Sequence, residues 1–327
     1  MAVLLTGVAG FIGMHVAELL LARGDAVLGL DSLNDYYDPA LKRARLSRLE
    51  GRAGFEFLHA DLTDRDAVLG LAAARPEISR IVHLAAQPGV RHSLVDPYAY
   101  VEANLMGHLV VLELARRLPR LDHLVYASSS SVYGGNTKLP FSESDRVDRP
   151  VSLYAATKRG GELISAAYQH IFGLPQTGLR FFTVYGPWGR PDMAPWLFAE
   201  SILAGRPITL YDEGRVLRRD FTFVEDIATG VVACLDRPPA AGEGPRLLNI
   251  GNHRSEEVRR FLGLLEEALG RRATVRSAPL PATDVGETFA DIEAIRDLTG
   301  FEPRTAIETG VPRFAKWFLM WKGMSPH

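Results

Sequence analysis

Residues 2–13 read AVLLTGVAGFIG, an apolar run followed by glycines at positions 7, 10 and 13. The apolar run has the length of a buried strand, and the segment FIGMHVAELLLARG that overlaps its end has the period of a helix. Glycines at such a junction allow a tight turn and let the backbone approach a pyrophosphate, while the helix N-terminus supplies N–H donors. The stretch therefore predicts a dinucleotide-binding turn.

The rest of the first half alternates strands with helices in the same way. Short Val, Ile and Leu-rich runs (AVLGL, RIVHLAA and HLVYASS) are separated by segments of helical period, which indicates βαβ units. We predict an α/β fold, a Rossmann-type doubly wound parallel sheet with a smaller α/β C-terminal substrate lobe. The NAD-binding domain is predicted at residues 1–180, with segments at about 220–252 returning to it, and the substrate lobe at 181–327. Short strands (PITLY and RLLNI) and late helices near 256–269 and 306–321 are expected in the second half.

Composition restricts the class of partner. The 327 residues carry 37 Lys and Arg against 39 Asp and Glu, a formal net charge of -2, so no global basic field favours nucleic acid or anionic membranes. No stretch reaches the roughly 18 apolar residues of a membrane span, and the N-terminus lacks the features of a signal peptide. The single Cys234 permits no intrachain disulfide. A cytoplasmic protein is expected, without nucleic acid, membrane or metal, since His83, His92 and His170 have no metal-ligand spacing.

Two aspartates follow strands of the predicted sheet. Asp31 ends AVLGL, where its carboxylate can accept hydrogen bonds from both ribose hydroxyls of an adenosine and would repel a 2′-phosphate, which favours NAD over NADP. Asp61 ends another strand, where it could bond the adenine amino group while Leu62 covers the ring. Equally, Asp61 could merely cap the next helix.

The segment SLYAATK places Tyr154 and Lys158 four residues apart, on one face of a helix. An ammonium beside a phenol stabilises the phenolate and lowers its pKa, which makes tyrosine a usable base. Just upstream, VYASSSSVYG ends a strand in four serines, Ser128 to Ser131, at the edge of a parallel sheet where ligands bind.

Together, the glycine turn, Asp31, Asp61, HLAAQ, the serine strand, YxxxK and RRDFTFVEDI resemble the extended short-chain dehydrogenase/reductase family along nearly the whole chain. The resemblance implies that Ser129 bonds the substrate hydroxyl, that Tyr154 is base and acid, and that Lys158 holds the nicotinamide ribose. It also implies that the helices at about 98–118 and 152–172 form the interface of a homodimer. The implied cofactor-binding residues are Gly7, Gly10, Phe11, Ile12, Gly13, Asp31, Asp61, Leu62, Ala85, Gln87, Asn104, Tyr154 and Lys158.

Three residues with hydroxyl groups restrict the choice of substrate within this family. Ser130 and Ser131 stand where the dehydratases carry an Asp-Glu pair, and Thr183 stands where neutral UDP-sugar 4-epimerases usually have Asn. Such hydroxyls could bond a sugar carboxylate. The segments VYGPWGRPDMA and DSLNDYYDPALKRARLSRL also look like those of UDP-glucuronate 4-epimerases, in which the second strand is followed by this tyrosine-rich insertion. The implied substrate-binding residues are Gln87, Arg91, Ser129, Ser130, Ser131, Thr183, Arg190, Arg219 and Asp284.

Several alternatives stay open from the sequence. A UDP-glucuronate decarboxylase begins with the same oxidation, but we expect it to need an additional acidic residue and an arginine around the serine strand, and SSSSVYG contains no such acid. A UDP-glucose 4-epimerase is disfavoured by Thr183. An NAD-binding sensor has no use for Ser129, Tyr154 and Lys158 together. Arg190 could equally be a surface loop residue, and Thr183 a strand-end hydroxyl bonded to backbone.

Overall fold

The computed structural model describes residues 1–281 and 285–325. Its strands, in chain order, are β1 (Ala2–Thr6), β2 (Ala26–Asp31), β3 (Phe55–His59), β4 (Ile78–His83), β5 (His123–Ser129), β6 (Gln176–Phe181), β7 (Thr183–Tyr185), β8 (Ile208–Leu210), β9 (Arg218–Arg219), β10 (Phe221–Phe223), β11 (Arg246–Ile250), β12 (Glu256–Glu257) and β13 (Val275–Ser277). Its α-helices are α1 (Phe11–Ala22), α2 (Pro39–Leu46), α3 (Arg65–Ala74), α4 (Pro97–Val101), α5 (Gly107–Arg117), α6 (Leu153–Phe172), α7 (Ala194–Ala204), α8 (Val224–Leu235), α9 (Val258–Leu269), α10 (Glu293–Thr299) and α11 (Ile307–Trp321).

The main sheet has the order β11-β6-β5-β4-β1-β2-β3, and every neighbouring pair in it is parallel. Strand β1 pairs with both β2 and β4, so the strand order reverses there. In open parallel sheets this switch point opens a crevice at the carboxyl ends of the strands, where ligands bind. The predicted doubly wound fold is confirmed.

Helices cover both faces of the sheet, because successive apolar side chains along a strand point to opposite faces and both faces must be buried. In β1, Val3 and Leu5 pack in the cluster that contains α1 and α8, whereas Leu4 packs in the cluster on the opposite face with α3, α5 and α6. These side chains are almost fully buried on both faces, as expected for a central parallel strand.

The smaller lobe is built around aromatic residues. Two-stranded pairs β7 with β10, β8 with β13 and β9 with β12 lie beside α7, α9 and α11. Their apolar side chains form a separate core that includes Phe221, Phe261 and Phe314. The strand at RLLNI, however, is β11, the edge strand of the main sheet. Where one domain ends and the other begins stays a prediction.

The helix expected near 98–118 is interrupted. Helix α4 continues into a π-helical turn at Glu102–Met106 before α5 begins. Single π-helical turns are often found at functional sites. No helix among the described residues is long and apolar enough to cross a membrane.

Candidate active site

A cavity of about 1190 Å³ lies at the carboxyl ends of the main-sheet strands and extends to the smaller lobe. It brings together residues that are far apart in the chain and that the sequence assigned to cofactor or substrate. The predicted residues that line it are Gly7, Gly10, Phe11, Ile12, Gly13, Asp31, Asp61, Leu62, Ala85, Gln87, Arg91, Ser129, Ser130, Ser131, Tyr154, Lys158, Thr183, Arg190 and Arg219.

Two predicted residues are not among them. Asn104 is buried in the π-helical turn, where its side chain accepts from the Gln87 N–H at 2.8 Å and donates to the Gln87 carbonyl at 3.1 Å and to Thr157 at 3.1 Å. It fixes the backbone of Gln87, which does line the cavity. Asp284 lies outside the described residues.

The glycine turn has the geometry that a dinucleotide needs. Gly7 has φ +75°, and a Cβ atom there would lie 2.7 Å from the backbone nitrogen of Ala85. Only glycine fits this conformation and this close approach to the loop after β4. Gly10 caps α1 without a side chain of its own, which leaves the helix N-terminus open toward the cavity.

Asp31 is buried at the end of β2 and is held by backbone. Its two carboxylate oxygens accept from the N–H groups of Ala9 at 3.0 Å and Leu33 at 2.9 Å. A carboxylate oxygen has two lone pairs, so each can still accept a ligand hydroxyl. The glycine turn and Asp31 therefore fit the diphosphate and ribose of a dinucleotide.

Asp61 does not cap the following helix. Its Oδ1 accepts from the N–H and hydroxyl of Thr63 at 2.8 and 2.6 Å, and the N-cap of α3 is Asp64. The capping alternative is therefore wrong, and Asp61 and Leu62 line the cavity wall instead.

Tyr154 and Lys158 lie in the first two turns of α6. Ser152 caps the N-terminus of this helix, and its side chain accepts from the Ala155 N–H. Gly173, in the left-handed conformation, caps the C-terminus. Lys158 Nζ donates to the carbonyl of Ala127 at 3.0 Å. Burial lowers the pKa of Lys158 to about 8, although the charge of Glu162 opposes this shift.

The pKa of Tyr154 differs from the sequence expectation of a lowered value. Burial raises it, while a hydrogen bond with Ser129 and the charge of Arg190 lower it only in part. The groups of this chain alone therefore favour the neutral phenol, because the desolvation of a phenolate outweighs the Ser129 hydrogen bond and the charge of Arg190.

Of the four serines, one is bonded behind the strand and three line the cavity. Ser128 is buried and donates to Glu162 at 2.6 Å, whereas Ser129, Ser130 and Ser131 line the cavity. Ser129 Oγ accepts from the Ser131 N–H at 3.2 Å at the start of a 3₁₀ turn. Within the part of the chain that the structure describes, the buried hydroxyl of Ser131 has no hydrogen-bond partner. A buried, unpaired hydroxyl at a cavity wall is suited to a polar ligand atom.

A buried ion pair supports this strand from behind. Arg180 in β6 donates to both carboxylate oxygens of Glu162, at 2.8 and 3.0 Å, and to the hydroxyl of Tyr133 at 3.1 Å. That hydroxyl donates to Asn249 in β11 at 2.6 Å. Helix α6 and strands β6 and β11 are thus tied together behind the serines.

Residues of the smaller lobe and of the loop after β4 form the far end of the cavity. The guanidinium of Arg91 lies 4.4 Å from the centre of the Tyr211 ring. Arg219 donates to the carbonyls of Arg218 at 2.8 Å and Gly286 at 3.0 Å. Thr183 opens β7 at the cavity wall, and its N–H donates to the carbonyl of Asp220 at 3.2 Å.

Arg190 is half-buried at the cavity wall and is paired with Asp192. Its Nε and Nη2 donate to the two carboxylate oxygens at 3.0 and 2.5 Å, and the hydroxyl of Tyr36 donates to Asp192 at 3.1 Å. Sequence reasoning missed Asp192 and Tyr36, although both lie in segments that it singled out. The signal for Asp192 was its position two residues after Arg190.

A model of the NAD dependent epimerase/dehydratase family matches residues 3–251. The chain is 45% identical to a probable UDP-glucuronate 4-epimerase of Rhizobium meliloti (strain 1021), over 97% of each protein. It is 46% identical to UDP-glucuronate 4-epimerase 1 of Arabidopsis thaliana, over 98% of this chain and 77% of that protein.

Among solved structures, UDP-glucuronic acid 4-epimerase from Bacillus cereus, in complex with UDP-glucuronic acid and NAD, has a TM-score of 0.91 and 32% sequence identity. The match covers 98% of this chain and 100% of that one. The resemblance to extended short-chain dehydrogenases/reductases is confirmed by these comparisons. This chain belongs to the NAD dependent epimerase/dehydratase family.

Proposed function

We propose that this protein is an isomerase, a UDP-glucuronate 4-epimerase that uses NAD and gives UDP-galacturonate. The names of its relatives and the similarity to a complex with UDP-glucuronic acid and NAD support this activity. The observation that carries the choice of substrate is the hydroxyl cluster beside Tyr154, in which the buried Ser131 Oγ has no hydrogen-bond partner among the described residues. A carboxylate accepts hydrogen bonds from such donors without adding a second charged side chain.

NAD is the cofactor that fits the other end of the cavity. The turn at Gly7 and the N-terminus of α1 suit the diphosphate, and Asp31 suits the adenosine ribose and disfavours a 2′-phosphate. When bound, NAD accepts a hydride and later returns it.

Tyr154 accepts and returns the proton of the C4 hydroxyl of the sugar. In this proposal its phenolate accepts that proton as the 4-ketone forms and returns it when the hydride comes back to the other face of the ring. Ser129, hydrogen-bonded to Tyr154, orients the same hydroxyl. In this proposal the ammonium of Lys158, which lies 6.0 Å from the centre of the Tyr154 ring, stabilises the phenolate. Burial raises the pKa of Tyr154, so this step needs a phenolate that its surroundings stabilise.

The serines and Thr183 protect the carboxylate. A 4-ketone leaves the C6 carboxylate β to a carbonyl, and β-keto acids lose CO2 when the C5–C6 bond aligns with the ketone π system. We propose that Ser130, Ser131 and Thr183 hold the carboxylate out of that alignment, and that Arg190 limits the space in which the ring turns.

Incubation of the purified protein with UDP-glucuronate, without added reductant, tests the function by proton NMR. A mixture of UDP-glucuronate and UDP-galacturonate is expected, and a Tyr154→Phe variant should leave the substrate unchanged. Formation of UDP-xylose or a 4-keto-pentose would identify a decarboxylase instead. Turnover of UDP-glucose alone would identify a neutral-sugar epimerase, and no turnover of either would favour a sensor.

The assembly is proposed to be a homodimer formed through α4, α5 and α6. Val101, Met106 and Leu163 are exposed on this surface, Leu163 by 55%. Burial of such side chains in a second copy removes apolar surface from water. Light scattering should give twice the chain mass, and Leu163→Glu should give a monomer, whereas Met320→Glu, an exposed position on α11, should not. A cytoplasmic location stays a prediction.

A further inference from the structure

The tyrosine-rich insertion after β2 reaches the loop that carries Arg190. It runs from Ser32 into α2, which begins after Asp38; the Asp38 side chain accepts from the Ala40 N–H at 2.9 Å, and Pro39 occupies the first helical turn. Two side chains of the insertion, Tyr36 and Arg45, contact the loop at residues 188–192 across more than 140 positions of sequence.

Arg45 anchors the backbone of that loop. Its side chain is fully buried and donates to the carbonyls of Trp188 at 3.0 and 2.7 Å, Gly189 at 3.1 Å and Ala9 at 3.1 Å, and to the hydroxyl of Tyr37 at 2.6 Å. Ala9 belongs to the glycine turn. The backbone just before Arg190 is therefore fixed to the dinucleotide site independently of the Arg190 side chain.

Tyr36 and Asp192 restrain the side chain itself. Asp192 accepts two hydrogen bonds from the guanidinium of Arg190 and a third from the hydroxyl of Tyr36. The ring of Tyr36 packs against His92 with centroids 4.9 Å apart, which fixes the position of its hydroxyl. These charge-assisted bonds direct the fork of Arg190 to Asp192, although the guanidinium lines the cavity.

We infer that Tyr36 and Asp192 are positioning residues that hold Arg190 back from the sugar carboxylate, so that the carboxylate is bound by hydroxyls and the ring can turn. This inference rests on the proposed function. A free arginine would bind the carboxylate through two parallel hydrogen bonds, because its planar fork matches a carboxylate. Such a pair would tighten binding of the charged sugar and slow the rotation that epimerisation requires.

The first test is Asp192→Asn, which removes the charge that holds Arg190 and leaves the Arg45 anchor in place. We expect kcat and KM for UDP-glucuronate both to fall. Affinity is measured by calorimetry with NAD present, in a Tyr154→Phe background that prevents turnover. UDP-glucuronate should bind roughly ten-fold tighter, the size of one charge-assisted hydrogen bond, while the affinity for uncharged UDP-glucose should not change.

Further variants identify the cause. Tyr36→Phe should act in the same direction but more weakly, and should add nothing to Asp192→Asn, since both act through Arg190. In the Asp192→Asn background, Arg190→Met should abolish the gain in affinity for UDP-glucuronate. This result separates binding of the sugar carboxylate by Arg190 from the loss of its repulsion by the carboxylate of Asp192. The matched control is Tyr168→Phe, because Tyr168 donates to Glu113 at 2.7 Å, another arginine-paired carboxylate, outside the cavity lining. It should change neither ligand's affinity.

The inference is overturned if Asp192→Asn weakens UDP-glucuronate binding, or strengthens it to the same degree as UDP-glucose binding. A variant with lower kcat and higher KM would also contradict it, since that result is expected of general disruption. If the wild-type protein epimerises UDP-glucuronate and Asp192→Asn leaves its affinity unchanged, this inference fails while the proposed function stands. If the wild-type protein does not turn over UDP-glucuronate, the proposed function itself fails.

Discussion

The ammonium nitrogen of Lys158 lies 6.0 Å from the centre of the Tyr154 ring, one helical turn away on α6. Its hydrogen bond to the carbonyl of Ala127 fixes it between the helix and β5. Burial raises the pKa of Tyr154 and lowers that of Lys158 to about 8, so in the proposed mechanism the phenolate would depend on an ammonium that itself loses its proton in mildly alkaline solution.

The pH dependence of the reaction should therefore change slope near the pKa of Lys158. We expect kcat/KM for UDP-glucuronate to rise with pH below about pH 8 and to level off above it, because the phenolate forms more readily as the pH rises until Lys158 loses the charge that stabilises it. A pH profile between 6.5 and 10 measures this. Lys158→Arg stays charged over that range, so any residual rate should keep rising above pH 8. The same levelling in Lys158→Arg would assign it to another group.

Features of this site whose residues lie close together in the chain could be predicted from the sequence, whereas contacts between residues far apart in the chain could not. The glycine turn follows from three residues between a strand and a helix, and YxxxK follows from the helical repeat, so both were found locally. The contact of Tyr36 with Asp192 joins positions 156 apart, and no local pattern encodes it. Burial of Tyr154 is likewise a tertiary property, which is why its pKa shift was expected with the wrong sign. The fold was predictable because alternating apolar runs repeat along the first half, whereas the π-helical turn has no such signature.

Asp31 should control cofactor retention. Asp31→Asn keeps the size of the side chain but removes its charge and one acceptor atom, so hydrogen bonds to the ribose and to the backbone N–H groups are weakened. We expect NAD affinity to fall roughly ten-fold or more, from the loss of charged hydrogen bonds. Calorimetry and the NAD content after purification measure this. Asp61→Asn is the comparison, and it should have a smaller effect because Asp61 is exposed and already bonded to Thr63. Equal losses in both variants would contradict the role of Asp31.

The stability of the protein should fall in mild acid because of buried histidines. Burial lowers the pKa of His108 to about 3 and of His123 to about 4, and it places the pKa of His83 well below its usual value. The unfolded chain binds these protons below about pH 6.5 and the folded chain does not, so stability is complete above that pH and is lost as the pH falls toward the folded pKa values. At pH 5 the loss is about 2 kcal/mol for each of His108 and His123.

Urea denaturation at pH 7 and pH 5 measures this loss. His108→Gln removes one titrating group, so its stability should depend less on pH even though its stability at pH 7 is lower. A variant whose free energy of unfolding falls as steeply as that of the wild type would exclude His108 as a contributor.

Glu162 should affect both stability and the pH profile. Its carboxylate and the guanidinium of Arg180 are buried, so Glu162→Gln leaves an unpaired buried charge, which costs about 3–5 kcal/mol of stability. Glu200→Gln breaks an exposed pair with Lys322 at 2.8 Å and should cost no more than about 1 kcal/mol. Urea denaturation compares the two. Because the charge of Glu162 also raises the pKa of Lys158, Glu162→Gln should lower the pH at which kcat/KM levels off. Loss of stability alone does not shift a pH profile, so an unshifted profile would show that Glu162 supports the serine strand without tuning Lys158.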